Sequence, residues 1–202
     1  MIKQLRYVAA SVLVAGSLFT LPLTQAAAAP TETTRTGLTN VRLAPEFLQA
    51  LDDLQVIPEA LFPGRLLVNS QGALAVFPIT TGAVDLGTVQ AEIDHSGGLS
   101  LTAGETRVEL SSFIIDLAGN RPVLTGLVVV NDELVARLPL FDLSLEMAQV
   151  GGDGDLLTVE NVKVTLSKEA AGALNQVFDV QAFTQGIPIG HANVRAILEF
   201  KS

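Results

Sequence analysis

The sequence predicts a mainly β protein, an antiparallel β-sandwich carrying two short helices. Three observations support this. Short apolar or alternating runs rich in Val, Ile, Leu and Phe recur between residues 73 and 145, and such residues suit a pleated, half-buried surface. The runs are bounded by the turn-forming clusters GG, AGN, ND and GGDGD, and turn signals every eight to twelve residues or so mark a sandwich or barrel. Two stretches alone break this pattern with helical spacing, and they resemble each other.

Taken in chain order, residues 1–28 predict a cleaved secretory signal. Lys3 and Arg6 form a short basic region, Val8 to Leu23 is apolar and uncharged, and the small-residue run Ala26 to Ala29 supplies an A-x-A cleavage pattern. Those 16 apolar residues fall short of the roughly 20 that span a bilayer. Residues 29–202 are then expected to form one domain of a bacterial protein, secreted or periplasmic. No second apolar run reaches spanning length and NVRAILEFKS ends the chain without a hydrophobic tail, so no membrane insertion is expected after cleavage. The chain has no cysteine, which removes any disulfide framework and leaves the core alone to hold the fold.

The first helix is expected within Val41–Leu54, VRLAPEFLQALDDL, and the second within Val164–Val177, VTLSKEAAGALNQV. Both follow V-x-L-[AS]-x-E-x-x-x-A-L-[DN]-x-[LV]. Ala44 or Ser167 stands at the N-cap, and Glu46 or Glu169 lies in the first turn, where the helix dipole favours an acid. Leu51 and Leu54, like Leu174 and Val177, recur on one face. The pattern reads as a weak internal repeat, two strand-helix units at opposite ends of one sandwich. Between them ALAVFP (73–78), RVELSSFIIDL (107–117), VLTGLVVV (123–130) and LVARLPLFDLSL (134–145) are strands. Pro139 marks a bulge or a strand edge. The predicted core includes Leu43, Leu51, Phe77, Val108, Phe113, Ile115, Leu127, Val129, Phe141, Leu143, Leu166, Leu174 and Phe178.

Charge narrows the partners. Beyond residue 28 the chain holds ten basic and twenty-one acidic residues, a net charge of −11. Phosphate neutralisation needs clustered Lys and Arg, so nucleic acid is excluded as a partner. The chain has no Trp, and its single tyrosine, Tyr7, lies in the signal. Carbohydrate stacking and the aromatic girdles of an outer-membrane barrel are both disfavoured.

Chemistry-bearing residues are few. In IDHSGGLSL (93–101) Asp94, His95 and Ser96 stand side by side. Neighbours on a strand point to opposite faces, so they form no catalytic triad, and no G-x-S-x-G elbow occurs in the chain. The structural reading is a hairpin-like loop between consecutive strands, with Gly97 and Gly98 supplying positive φ. The functional reading makes His95, with His191 of IPIGHANV, the cofactor ligands, since imidazole suits haem iron or a transition metal. No third protein ligand for a metal is identifiable. GGDGD at 151–155 is one residue short of a calcium-binding nonapeptide unit and occurs once, which fits a solvated hairpin tip.

The succession FPITTGAVDL, IDHSGGLSL, LVARLPLFDLSL and VTLSKEAAGALNQVF resembles the HtaA-type domain of secreted and cell-wall bacterial proteins, over roughly Phe77 to Val194. The resemblance implies a β-sandwich with small helices and, since several members bind haem, a haem site. His95 falls where that family has a histidine followed by a small residue and a glycine. In haem-binding members this histidine supports an axial tyrosine, and here no tyrosine follows Tyr7.

The expected function is therefore that of an exported, non-enzymatic module binding a small-molecule ligand or another surface protein. Two alternatives stand beside it: a haem or metal carrier centred on His95, and a hydrolase, for which no constellation of residues is found.

Overall fold

The structure, a computed structural model, describes residues 31–70 and 72–199; the expected signal, residues 1–28, lies outside them. It is mainly β with two helices. The strands are β1 (Thr31–Leu43), β2 (Ile57–Leu61), β3 (Arg65–Asn69), β4 (Gly72–Asp85), β5 (Gln90–His95), β6 (Gly98–Ala103), β7 (Thr106–Asp116), β8 (Val123–Val130), β9 (Glu133–Ser144), β10 (Gln149–Asp153), β11 (Leu156–Leu166) and β12 (Pro188–Glu199). Helix α1 spans Pro45–Asp53 and α2 spans Lys168–Phe178.

The expected sandwich is corrected to a closed barrel. Strands β7-β5-β4-β1-β12-β11-β9-β8 pair in that order, and β8 pairs back onto β7, so the ring has eight strands and no free edge. Sandwich and barrel share the same spacing of strands and turns. The β7–β8 closure, a contact between residues on one hairpin that also meets β5 and β9, is what separates them. Paired residues followed once around the ring run Thr33, Ala83, Glu92, Asp116, Val123, Asp142, Thr165, Pro188, and so arrive beside the far end of β1. Such a stagger tilts the strands steeply and opens the interior.

Inward positions carry the core: Val41, Phe77, Ile93, Val108, Phe113, Leu140, Val164 and Ala192 are all buried. Phe77 and Phe113 meet edge to face, centroids 5.1 Å apart. Outward positions of β1, β12 and β11 are Arg42, His191, Lys163, Asn40 and Asn193, paired in rows across the three strands. Along these three strands an apolar interior lies under a polar outer face, the reverse of a membrane barrel, whereas β9 exposes Leu134 and Val135. No helix among the described residues is long and apolar enough to cross a membrane.

Of the expected core, Leu127 and Val129 lie on the other face of β8, where Leu124 and Val128 are buried instead. VLTGLVVV does not alternate, so its phase is set by a neighbour. A Cβ on inward Gly126 would stand 2.6 Å from Leu140 Cδ1 and 2.9 Å from Phe113 Cδ1. The bulge at Pro139 is observed: Leu124 opposes Phe141 and Thr125 opposes Pro139, leaving Leu140 unpaired with β8.

Both helices follow strands that flank β12, one on each side and both antiparallel to it. β1 and β11 therefore run the same way and deliver α1 and α2 at the same end of the barrel, not at opposite ends. Their attachment is equivalent. Ala44 N donates to Ile189 O at 2.8 Å and Ser167 N to Leu140 O at 3.0 Å. Ser167 adds the cap that Ala44 lacks: its Oγ accepts from Ala170 N at 3.0 Å and donates to the bulge carbonyl of Pro139 at 2.6 Å.

Candidate functional site

Beneath the helices the barrel encloses a cavity of about 260 Å³. Its floor is Phe47 of α1 with Leu174 and Val177 of α2, and its wall is Val, Leu, Ile, Phe and Ala; the polar residues that line it are Thr39 and Asp85. At the opposite end the strands finish in the segments 86–89, 117–122, 145–148 and 154–155. Leu86, Val89 and Val150 line the cavity there and are 48%, 54% and 61% exposed. This end is the mouth. Large side chains left in water are informative when they border a concave apolar site.

His95 closes β5 and follows Ile93 and Ala91 on the inward face, at 5% exposure. Thr39 Oγ1 of β1, the strand on the other side of β4, lies 2.7 Å from its Nε2, and Nδ1 has no hydrogen-bond partner among the described residues. Burial lowers the pKa of the ring to about 4; the Phe113 and Ile93 backbone and the charge of Asp94 offset part of that effect. The ring is neutral at physiological pH.

The stretch around it is not a hairpin. β5 and β6 do not pair with each other: both run antiparallel to β7, with Asp94 opposite Ile114 and Gly98 opposite Ser111. They are one strand, bent at Ser96–Gly97, that leaves β4 to pair with β2. Gly97 has φ of +82°, and a Cβ there would fall 2.3 Å from Gly64 N. The glycine allows both the bend and the approach of the 61–64 turn. His95 sits inside the corner, where β5 and β6 part on the edge of β7.

His191 is elsewhere. It lies on the outward face of β12 between Arg42 and Lys163, three residues into the strand it was expected to begin. The wall of the barrel separates the two histidines, so they form no common ligand set. No group of three or more His, Asp or Glu among the described residues is placed to hold a metal. GGDGD is the exposed β10–β11 hairpin, turning at Gly154.

The surroundings of His95 do not fit a haem coordinated at that ring. Nε2 is engaged by Thr39. The cavity lining contains no Lys, Arg or Tyr, so nothing there would pair with propionates or replace the missing axial tyrosine. Thr39 and the cavity escaped the sequence reading. An inward Thr in TNVRL looks like any strand threonine, and an interior void is a property of the closed ring.

Fold and cavity define a class: a closed, steeply tilted β-barrel with a hydrophobic interior, two helices at one end and an open mouth at the other. Within that class the chain has the fold of the HtaA-type domain. It is similar to the C-terminal domain of HtaA from Corynebacterium glutamicum, with a TM-score of 0.60 and 16% identity over 83% of this chain and 99% of that one. It is also similar to the heme binding protein HtaB from Corynebacterium glutamicum, with a TM-score of 0.57 and 11% identity over 84% and 95%. A domain-swapped dimer of an H434A variant of the HtaA C-terminal domain gives 0.51 and 18% over 76% and 91%. No family model matches the chain, and no curated protein matches it in sequence.

Proposed function

We propose that this chain is an exported, non-enzymatic binding module that holds a small apolar molecule inside its barrel. The observation that supports it is the cavity of about 260 Å³, walled by aliphatic side chains and opening between Leu86, Val89 and Val150. Apolar cavities of about 150 Å³ in other proteins stay dry and take up benzene-sized molecules, and ligand sites are concave, mostly apolar and sparsely polar. The buried His95 and Thr39 satisfy each other at Nε2 and act as a structural pair that orients the β5–β6 corner. The test is a titration with N-phenyl-1-naphthylamine, whose fluorescence rises in an apolar site. A saturable rise is expected from the wild type, lost in Ala192→Leu, which fills the wall of the cavity, while the melting temperature holds. No rise in the wild type would sink the reading.

The similarity to HtaB, named as a heme binding protein, favours a second reading, haem carriage. It requires the Thr39–His95 contact to open or haem to bind outside the barrel. Haemin titration decides: a saturable Soret shift in the wild type would establish this reading, its loss in His95→Ala placing the iron at that ring and its survival placing it outside the barrel.

A further inference from the structure

Two inward polar groups stand inside the mouth, apart from the His95–Thr39 pair. Glu32 and Thr34 of β1 oppose Val84 and Gly82 of β4. Val84 lines the cavity, and directly opposed residues of an antiparallel pair share a face, so both side chains point to the barrel interior, next to the cavity lining but not part of it. Thr34 also opposes the buried Leu198 of β12. Glu32 is 8% exposed and Thr34 2%. Glu32 Oε2 and Thr34 Oγ1 are both buried without a hydrogen-bond partner among the described residues. A buried polar atom left unpaired is costly, and a carboxylate oxygen more than most. Two such acceptors on one wall, two residues apart on one strand, form a place for a donor.

Acids outnumber cations at the mouth. Asp85, Asp116, Glu146, Asp153 and Asp155 stand in or beside its four segments. Of the cations nearby, Arg35 is exposed on β1 beside Thr34, and Arg121 is held by Asp142 at 3.0 Å and by Glu169 of α2 at 2.8 Å. A carboxylate-headed ligand would meet repulsion here, and a cationic head attraction.

We infer that the ligand of the barrel is a linear aliphatic molecule with an ammonium head, Glu32 and Thr34 accepting its N–H bonds at the mouth while the chain lies in the cavity. This rests on the barrel being an apolar-ligand site. It assigns Glu32 as the residue that sets head-group specificity, since a charge-assisted hydrogen bond in a site of low dielectric is stronger than a neutral one.

The experiment displaces bound N-phenyl-1-naphthylamine from the full-length mature protein with decylammonium, decanol and decanoate. Decylammonium is expected to compete at concentrations about tenfold or more below decanol, and decanoate to be weakest. Glu32→Gln should erase the ammonium preference and leave the probe and decanol unchanged. Thr34→Val should move the preference the same way by less. Decanoate competing as well as decylammonium, or a preference that survives Glu32→Gln, overturns the inference while the apolar-site reading stands. Failure of the probe itself to bind overturns both.

Discussion

The two ends of the barrel are made from the same strands and finish in opposite ways. At one end β1 and β11 run straight into helices that turn Phe47, Leu51, Ala170 and Leu174 inward and leave them buried. At the other, Leu86, Val89 and Met147 stand in water on short turns and Val150 at the start of β10, Met147 at 72% exposure. The difference lies in what covers each end. The helix end is stitched by the Ala44, Leu166 and Ser167 amides to carbonyls of neighbouring segments. The mouth segments also bond to their neighbours, Leu117 N to Ala91 O and Leu198 N to Asp155 O at 2.8 Å and Leu143 N to Pro122 O at 3.0 Å, but two of their turns are held by their own side chains: Asp85 accepts from the amides of Gly87 and Thr88 at 2.8 and 3.2 Å, and Asp116 from Ala118 at 2.9 Å. A turn held by its own side chain needs no lid over it. One end therefore closes the core and the other can admit a ligand.

If that contrast is right, truncation should be expensive inside the barrel and cheap at the mouth. Phe113→Ala and Leu140→Ala, both at 2% exposure, are expected to lose about 3 to 5 kcal/mol. Leu86→Ala and Val150→Ala should stay within about 0.5 kcal/mol. Urea denaturation of the four variants checks this, and equal losses at both ends would erase the distinction.

Next in size is the corner that carries the second sheet away from the ring. Gly97→Val forces a β-branched residue to φ of +82° against Gly64. A thermal melt should report a loss of about 3 kcal/mol or more, and an unchanged midpoint would mean the corner is not as tight as it stands.

His95 gives a pH signature of similar size. Its folded pKa of about 4 lies below the ordinary 6.5, so the unfolded ring takes up a proton that the folded one refuses. The stability this neutral ring allows is complete above pH 6.5 and is lost as pH falls toward 4, by roughly 3 kcal/mol in all. Denaturation midpoints against pH for the wild type and His95→Gln should differ in slope across that window. Parallel profiles would place the ring in water.

The smallest effects sharpen the comparison between the two helices. Ser167→Ala removes a cap and the bond to Pro139 and should cost about 1 to 2 kcal/mol. Ala44→Asp supplies α1 with the cap it lacks and should gain about 0.5 to 1 kcal/mol. Melting both variants tests whether the two strand-helix units are equivalent in energy as well as in place.

Much of the architecture was legible in local patterns. Strand runs with Gly, Asn and Asp turns marked β4, β7, β8 and β9. The V-x-L-[AS]-x-E pattern marked both helices and their caps, and the break at Pro139 marked the bulge, because each depends on residues close together in the chain. His95 was singled out by its chemistry alone, whereas its burial, its contact with Thr39 and its separation from His191 follow from which way β5 and β12 face.

What the tertiary structure decided is of another kind. A non-alternating run such as VLTGLVVV does not state its inward face, and that face is chosen where Gly126 meets Leu140 and Phe113. Whether two layers of strands stay open or join is settled at the β7–β8 pairing, and with it whether an interior exists at all. HSGG carries the same glycines whether it turns a hairpin or bends one strand past β7. Glu32 and Thr34 read as ordinary polar strand residues in TETTRT until the register with Val84 and Gly82 turns them inward. Local sequence sets backbone preference over a few residues, while faces, closure and cavities depend on register between strands far apart in the chain.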